Sequence, residues 1–260
     1  MDMKASSCLK AAWQLALPFA ITFTAMTSRA AEPKSGPMPH ELETRYALSA
    51  LPPALRTDAT VYLLDPASGY VMSKRGTNGI QCIVERTAWE LADFRDDIFI
   101  PLCYDAAGAS TYLKVIMDAA ALRIRGLSPT ALKSEVERRY KSGTYKPPEK
   151  SGLSYMISPV MRTVGPPDMK VRTMAMPHFM FYAANVSNQD IGARPRLDDM
   201  SSLQYPFIDR QGNGEQSYMI QLVGEAEKAK IMSTEKPLED ALCKFAHALC
   251  LTNDMNQMHS

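Results

Sequence analysis

The chain carries no surplus of charge of either sign: its 260 residues hold 29 lysines and arginines against 28 aspartates and glutamates, a formal net charge of +1. Without residues 1–30, whose charges are Lys4, Lys10 and Arg29 against Asp2, the balance becomes −1. Near neutrality with no basic run provides no electrostatic footprint for nucleic acid or for an anionic membrane surface, so neither is an expected partner. Histidine is scarce, at four residues. Neither Cys-x-x-Cys nor His-Glu-x-x-His occurs, which removes the familiar zinc spacings. There is no Gly-x-Ser-x-Gly elbow. Ser233-Thr234-Glu235-Lys236 matches Ser-x-x-Lys, but it follows the Lys-Ser-Gly triplets instead of preceding them, and no Ser-Asp-Asn element stands between. Gly76 and Gly79 join two strand-like runs and do not lead into a helix, so they form no phosphate loop. Internal repeats and low-complexity tracts are also missing.

What is present begins with an address. Lys4 and Lys10 precede an apolar run, Ala11–Met26, and Ser28-Arg29-Ala30 supplies small residues at a cleavage site, the layout of a signal peptide over residues 1–30. The run is interrupted by Gln14 and Pro18 and is shorter than the roughly 20 apolar residues of a transmembrane helix. No later stretch is long enough to span a bilayer. The expectation is export to a periplasmic or extracellular compartment, with a mature chain that does not span a membrane. Residues 31–39 read as a flexible leader, 40–251 as a single domain with 143–152 as a candidate internal linker, and 252–260 as a disordered tail.

Within the domain, Leu42, Tyr46 and Ala47 stripe a short helix over His40–Leu51, which Pro52-Pro53 stops. Thr60–Leu64, Tyr70–Lys74 and Ile80–Val84 alternate around turn residues and predict a three-stranded meander. Glu85–Asp97 is a charged link, read as a solvated face; a carboxylate site for catalysis or Ca²⁺ is the sharper alternative, and the Asp-x-Asp-x-Asp-Gly spacing is missing. Ile98–Tyr104 is extended. Two helices follow, Tyr112–Arg125 and a second from Ser128-Pro129 to about Lys141. Leu153–Ile157 and Val171–Tyr182 predict a hairpin around Gly165-Pro166-Pro167-Asp168. Ser217–Val223 is a further strand, and Pro237–Leu251 an amphipathic helix. The fold class is therefore α+β: a mainly antiparallel sheet, N-terminal meander and later hairpin, with two consecutive inserted helices and a C-terminal helix.

Export permits disulfides. Cys82 and Cys103 lie in strand-like runs and are the expected pair. Cys243 and Cys250 fall within one helical pattern, where seven residues rise about 10.5 Å, beyond the roughly 7 Å limit for a bridge. They are expected not to bond to each other unless that helix is broken. With His247 they share a helical face, for which core or partner packing is the plain reading and a metal the sharp one.

The densest cluster of unusual side chains is Val171–Tyr182. If it forms one strand, Met174, Met176, His178 and Met180 share a face. Thioether and imidazole together suit Cu(I) or Ag(I), but Met174 and Met180 would lie roughly 20 Å apart along a straight strand. Only Met176, His178 and Met180 could converge, through a bulge at Pro177. If the hairpin pairs with position sums of 334, Met156 also faces His178. Methionine filling a core and a buried histidine with its hydrogen bonds satisfied is the plain alternative. His178 and Tyr182 are the candidates for a catalytic or organic-ligand pocket. Three functions stand open. The first is an exported, non-catalytic binding or envelope-associated module with a protein or small-ligand partner. The second is a soft-metal protein centred on Met176, His178 and Met180, and the third a hydrolase of unrecognised type.

Overall fold

The structure is a computed structural model; it describes residues 37–87, 89, 92, 94–165, 168, 170–210 and 216–251. The signal peptide read at 1–30, most of the leader and the tail lie outside the described residues. The elements run α1 (His40–Ser49), α2 (Pro53–Arg56), β1 (Thr60–Asp65), β2 (Gly69–Lys74), β3 (Gln81–Glu85) and β4 (Ile100–Tyr104). Then come α3 (Ala106–Ala109), α4 (Tyr112–Ile124), α5 (Pro129–Lys141), β5 (Leu153–Met156), β6 (Met161–Gly165), β7 (Lys170–Met174) and β8 (His178–Tyr182). β9 (Phe207–Arg210), β10 (Ser217–Leu222), α6 (Glu225–Thr234) and α7 (Lys236–Phe245) complete the chain. The fold is α+β, with a mainly antiparallel sheet of eight strands in the order β2-β1-β3-β4-β5-β8-β10-β9 and a separate β6-β7 pair.

Strand alternation sends successive side chains to two apolar layers. Val61, Leu63, Cys82, Val84 and Cys103 face α1 and α7 through Tyr46, Ala47, Leu51, Leu238 and Leu242. Ile83, Leu102, Tyr104, Met180 and Ile220 face α4 through Tyr112, Leu113 and Ile116. α5 packs on the outside of α4 with Leu132, Val136 and Tyr140 against Val115, Ala119 and Leu122. Its start is capped as the Ser128-Pro129 pair implies, the Ser128 hydroxyl accepting from the Ala131 N–H at 3.3 Å. Among the described residues no helix is long and apolar enough to cross a membrane.

Three expectations need correction. The first is the meander: β3 does not lie beside β2 but pairs parallel with β1 on its other side. The connection crosses under the start of β1, where the Thr77 and Asn78 N–H groups donate to the Asp58 carbonyl at 2.7 and 3.1 Å. A Cβ at Gly76 would run into the Asp58–Thr60 backbone, so only glycine permits that approach. The second is the hairpin. β6 and β7, on either side of residues 166–169, pair with each other, whereas β5 pairs with β8 across that inserted hairpin. Their register nonetheless sums to 334, Met156 opposite His178 and Leu153 opposite Phe181. The third is the C-terminal helix, which stops at Phe245. Ala246 is extended (φ −146°, ψ 122°) before a short 3₁₀ turn over His247–Leu249.

That break brings Cys243 and Cys250 to a Cα separation of 4.4 Å, and they form a disulfide. Cys82 and Cys103, directly opposite across β3 and β4, form the other, as the strand-like runs around them imply. Their sequence separations of 7 and 21 residues rank the two bridges. By the chain-entropy relation, alanine at Cys82 and Cys103 together is expected to lower the unfolding free energy by about 3 kcal/mol, and at Cys243 and Cys250 by about 2 kcal/mol. Urea unfolding of both double variants checks the order.

Candidate functional site

The Val171–Tyr182 stretch is divided among three places. Met174 ends β7 opposite Met161, in the two-stranded sheet. Ala175, Met176 and Pro177 are irregular, since proline has no N–H to give to a ladder. His178, Met180 and Tyr182 alternate along β8 on the face that packs toward α4. The one four-residue row is thus broken: Met174 leaves it, and Met176 contributes its carbonyl, which accepts from His178 Nδ1 at 2.7 Å.

Since a carbonyl only accepts, the proton of the neutral ring sits on Nδ1 and Nε2 carries a lone pair. His178 is 3 % exposed. Burial pushes its imidazole down to about 4, opposed by the Met176 hydrogen bond, and no charged group contributes. Its register neighbours are Met156 on β5 and Leu222 on β10.

Tyr182 lies at the other end of β8, about 13 Å from His178 at strand spacing, so the two do not form a pair. Its O–H donates to Asp105 Oδ1 at 2.9 Å. The same carboxylate accepts the N–H of Gly108 at 2.8 Å, capping α3, and that of Leu153 at 3.1 Å, opening β5. A Cβ at Gly108 would strike the Tyr182 hydroxyl, and one at Gly152 the Asp105 carboxylate. Tyr112 stacks on Tyr182 and Tyr218, with ring centroids 4.8 and 4.3 Å away. In this setting Tyr182 ties strand, helix and loop together. Cys243 and Cys250 are bonded to each other, which removes the metal reading of Cys243, His247 and Cys250.

A different group of residues, missed in the sequence, surrounds a cavity of about 420 Å³. Its walls are the start of α1, the ends of β1 and β3, the 95–96 segment and the last turns of α4. Glu43 lies on the α1 face of Tyr46 and Ala47, one turn ahead of them, and is only 4 % exposed. Arg86 follows β3 directly. Its guanidinium carbon lies 3.8 Å from the centroid of the Phe99 ring, and Nη2 donates to the Asp96 carbonyl at 3.3 Å. Arg123 reaches in from α4, 3.2 Å from Asp96 Oδ1 and over the Phe94 ring. Arg95 pairs with Asp97, which also takes Arg162 at 3.1 Å.

Two atoms on residues of the cavity wall are buried without a hydrogen-bond partner, Glu43 Oε1 and Arg86 Nε, as are Trp89 Nε1 and Arg162 Nε outside that wall. Burial raises the Glu43 carboxyl above the ordinary range against the pull of Arg86, and burial lowers the Arg86 guanidinium against the pull of Glu43. Among the described residues of the charged link at 85–97, expected as a solvated face, the outcome is divided: Thr87 and Trp89 are buried, whereas the Asp96 side chain stays 61 % exposed where it lines the cavity with Arg86. The signal within reach was Glu43, a carboxylate at helical spacing on a buried stripe.

The chain matches no protein-family model, no curated protein and no solved structure.

Two outcomes follow from the β8 geometry. The His178 imidazole has a folded value of about 4 against 6.5 for the free group, so the unfolded chain binds more protons between these values. Its contribution is complete above pH 6.5 and is lost as pH falls toward 4. The loss is at most roughly 3 kcal/mol, and in His178→Asn it should be absent from the urea-measured difference between pH 7 and pH 4. Separately, Gly108→Ala should destabilise by more than the roughly 1 kcal/mol of Tyr182→Phe, because overpacking is added to the loss of the hydrogen bond.

Proposed function

We propose that this chain is an exported binding module that holds a small anionic molecule in the Arg86–Arg123 cavity and performs no chemistry on it. The observation that carries the reading is the pair of unpartnered buried atoms, Glu43 Oε1 and Arg86 Nε, on residues that line the same cavity. Buried polar groups are nearly always hydrogen-bonded, and each one left bare costs about 1–3 kcal/mol. A ligand carrying an anionic group and an N–H or O–H donor would bring partners to both residues, the anion meeting guanidinium and the donor meeting the Glu43 carboxylate. The cavity volume of about 420 Å³ falls within the range of small-molecule sites. Leu64, Ala120 and Ile124 supply apolar wall between the charges.

The absence of chemistry is supported by the composition of the wall. Among the described residues it contains no histidine, cysteine or serine; of its two carboxylates Asp96 is paired with Arg123, and arginine does not exchange its proton near neutral pH. Export is supported by the layout of residues 1–30 and by two disulfides, which persist in oxidising compartments.

The test is a thermal-shift and calorimetric screen with inorganic phosphate, simple carboxylates and amino acids. At least one class should bind saturably and raise the midpoint of unfolding. Arg86→Gln and Arg123→Gln, checked for folding by near-ultraviolet circular dichroism, should each weaken it at least tenfold. Glu43→Gln should weaken amino acids more than simple anions. Binding that survives in both arginine variants, or no saturable binding by any class, rejects the cavity as the site.

A further inference from the structure

The buried histidine that the cavity does not use has a setting of its own. Met156 and His178 are directly opposite on antiparallel β5 and β8, so their side chains leave the sheet on one face, with Cβ atoms about 5 Å apart. Met180, two residues further along β8, projects from the same face roughly 7 Å away. Both methionines pack in the cluster beneath α4. A thioether side chain has three rotatable bonds, enough to turn sulfur toward a point between the strands.

The ring itself is prepared for ligation. Nδ1 donates to the Met176 carbonyl at 2.7 Å, which fixes the tautomer and leaves the Nε2 lone pair for a metal. This is the supporting bond that metal-bound histidines ordinarily make. His178 and Met180 are 3 % and 5 % exposed, and no charged group acts on the imidazole. Two thioethers and one neutral imidazole form a soft, uncharged donor set. Such a set favours a soft monovalent ion, because a buried divalent ion would lack any anionic ligand to compensate its lost hydration.

We propose that Met156, His178 and Met180 form a site for one soft monovalent cation, Cu(I) or Ag(I). The ligand set replaces Met176 by Met156, since Met176 lies in the break before β8 and serves through its carbonyl. The site is independent of the anion-binding reading of the arginine cavity.

Ag(I) is the suitable probe because it needs no reductant and leaves both disulfides intact. The full-length chain with Cys8→Ser, which removes the one cysteine outside the two bridges, is titrated in chloride-free buffer against a competing chelator. One equivalent should bind in competition. Met156→Leu and Met180→Leu keep side-chain volume and apolarity, so they should fold, and each should weaken binding at least tenfold. His178→Ala should abolish it, and Met72→Leu, on the exposed edge strand β2, should leave it unchanged. Absence of an equivalent that competes with the chelator overturns the proposal. So does affinity unchanged in both leucine variants, including the case where only His178→Ala loses binding, since the thioethers would then not be ligands.

Discussion

Beside Gly76 the chain passes so close to the Asp58–Thr60 backbone that a single extra carbon would not fit. That crossing carries the chain from β2 past β1 and sets β3 parallel on the far side. Strands next to each other lie about 4.8 Å apart; β1 and β3 pair where they begin, Thr60 with Gln81 and Val61 with Cys82, and run in the same direction from there. Leu64 and Pro66 at the end of β1, and Arg86 and Thr87 at the end of β3, all lie on the wall of the same cavity. With β2 between them, as in a meander, the two strands would stand about twice as far apart. Cys82 on β3 then faces Cys103 on β4, and the bridge packs in the layer beneath α1.

The charges gathered at that end are costly. A desolvated carboxylate and guanidinium are often no more stable than an apolar pair of the same volume. Here both groups have their titration shifted by burial, and each keeps an atom without a partner. Aromatic rings under Arg86 and Arg123 offset part of the cost by facing cations that have little water left. A bound anion with a donor group would offset more, which is how the proposed function and the energetics agree. The Tyr182–Asp105 pair illustrates the opposite economy. Its carboxylate accepts three donors from three elements, and two glycines leave room for it.

The break at Pro177 does for β8 what Gly76 does for β3. It ends the small β6-β7 sheet, hands Met174 to that sheet, and lets the strand resume at His178 in register with β5. The carbonyl freed at Met176 then finds a donor in the imidazole. A buried neutral histidine between two methionines is the outcome, with its proton on Nδ1 and its affinity for a second proton lowered by burial.

Local physics was legible in the sequence wherever a short stretch decides its own conformation. The helices at 40–49, 112–124 and 129–141 follow from apolar spacing, proline stops and the Ser128 cap. The β5-β8 register was legible only as a condition on a hairpin, and that condition is met by two strands with another hairpin inserted between them. What the sequence did not disclose depends on contacts between distant residues. A glycine at 76 reads as a turn until the 58–60 backbone lies against it, and a Pro-rich turn does not say which strands flank it. The end of α7 at Phe245 accompanies a bridge between Cys243 and Cys250 that a continuous helix forbids. Glu43 and Arg86 are 43 positions apart, and only the folded sheet brings a helix face and a strand end to one cavity. Composition and periodicity determined the class and most helices of this protein; tertiary structure decided which charges lost their water, because desolvation is a property of the assembled neighbours and not of any one stretch of chain.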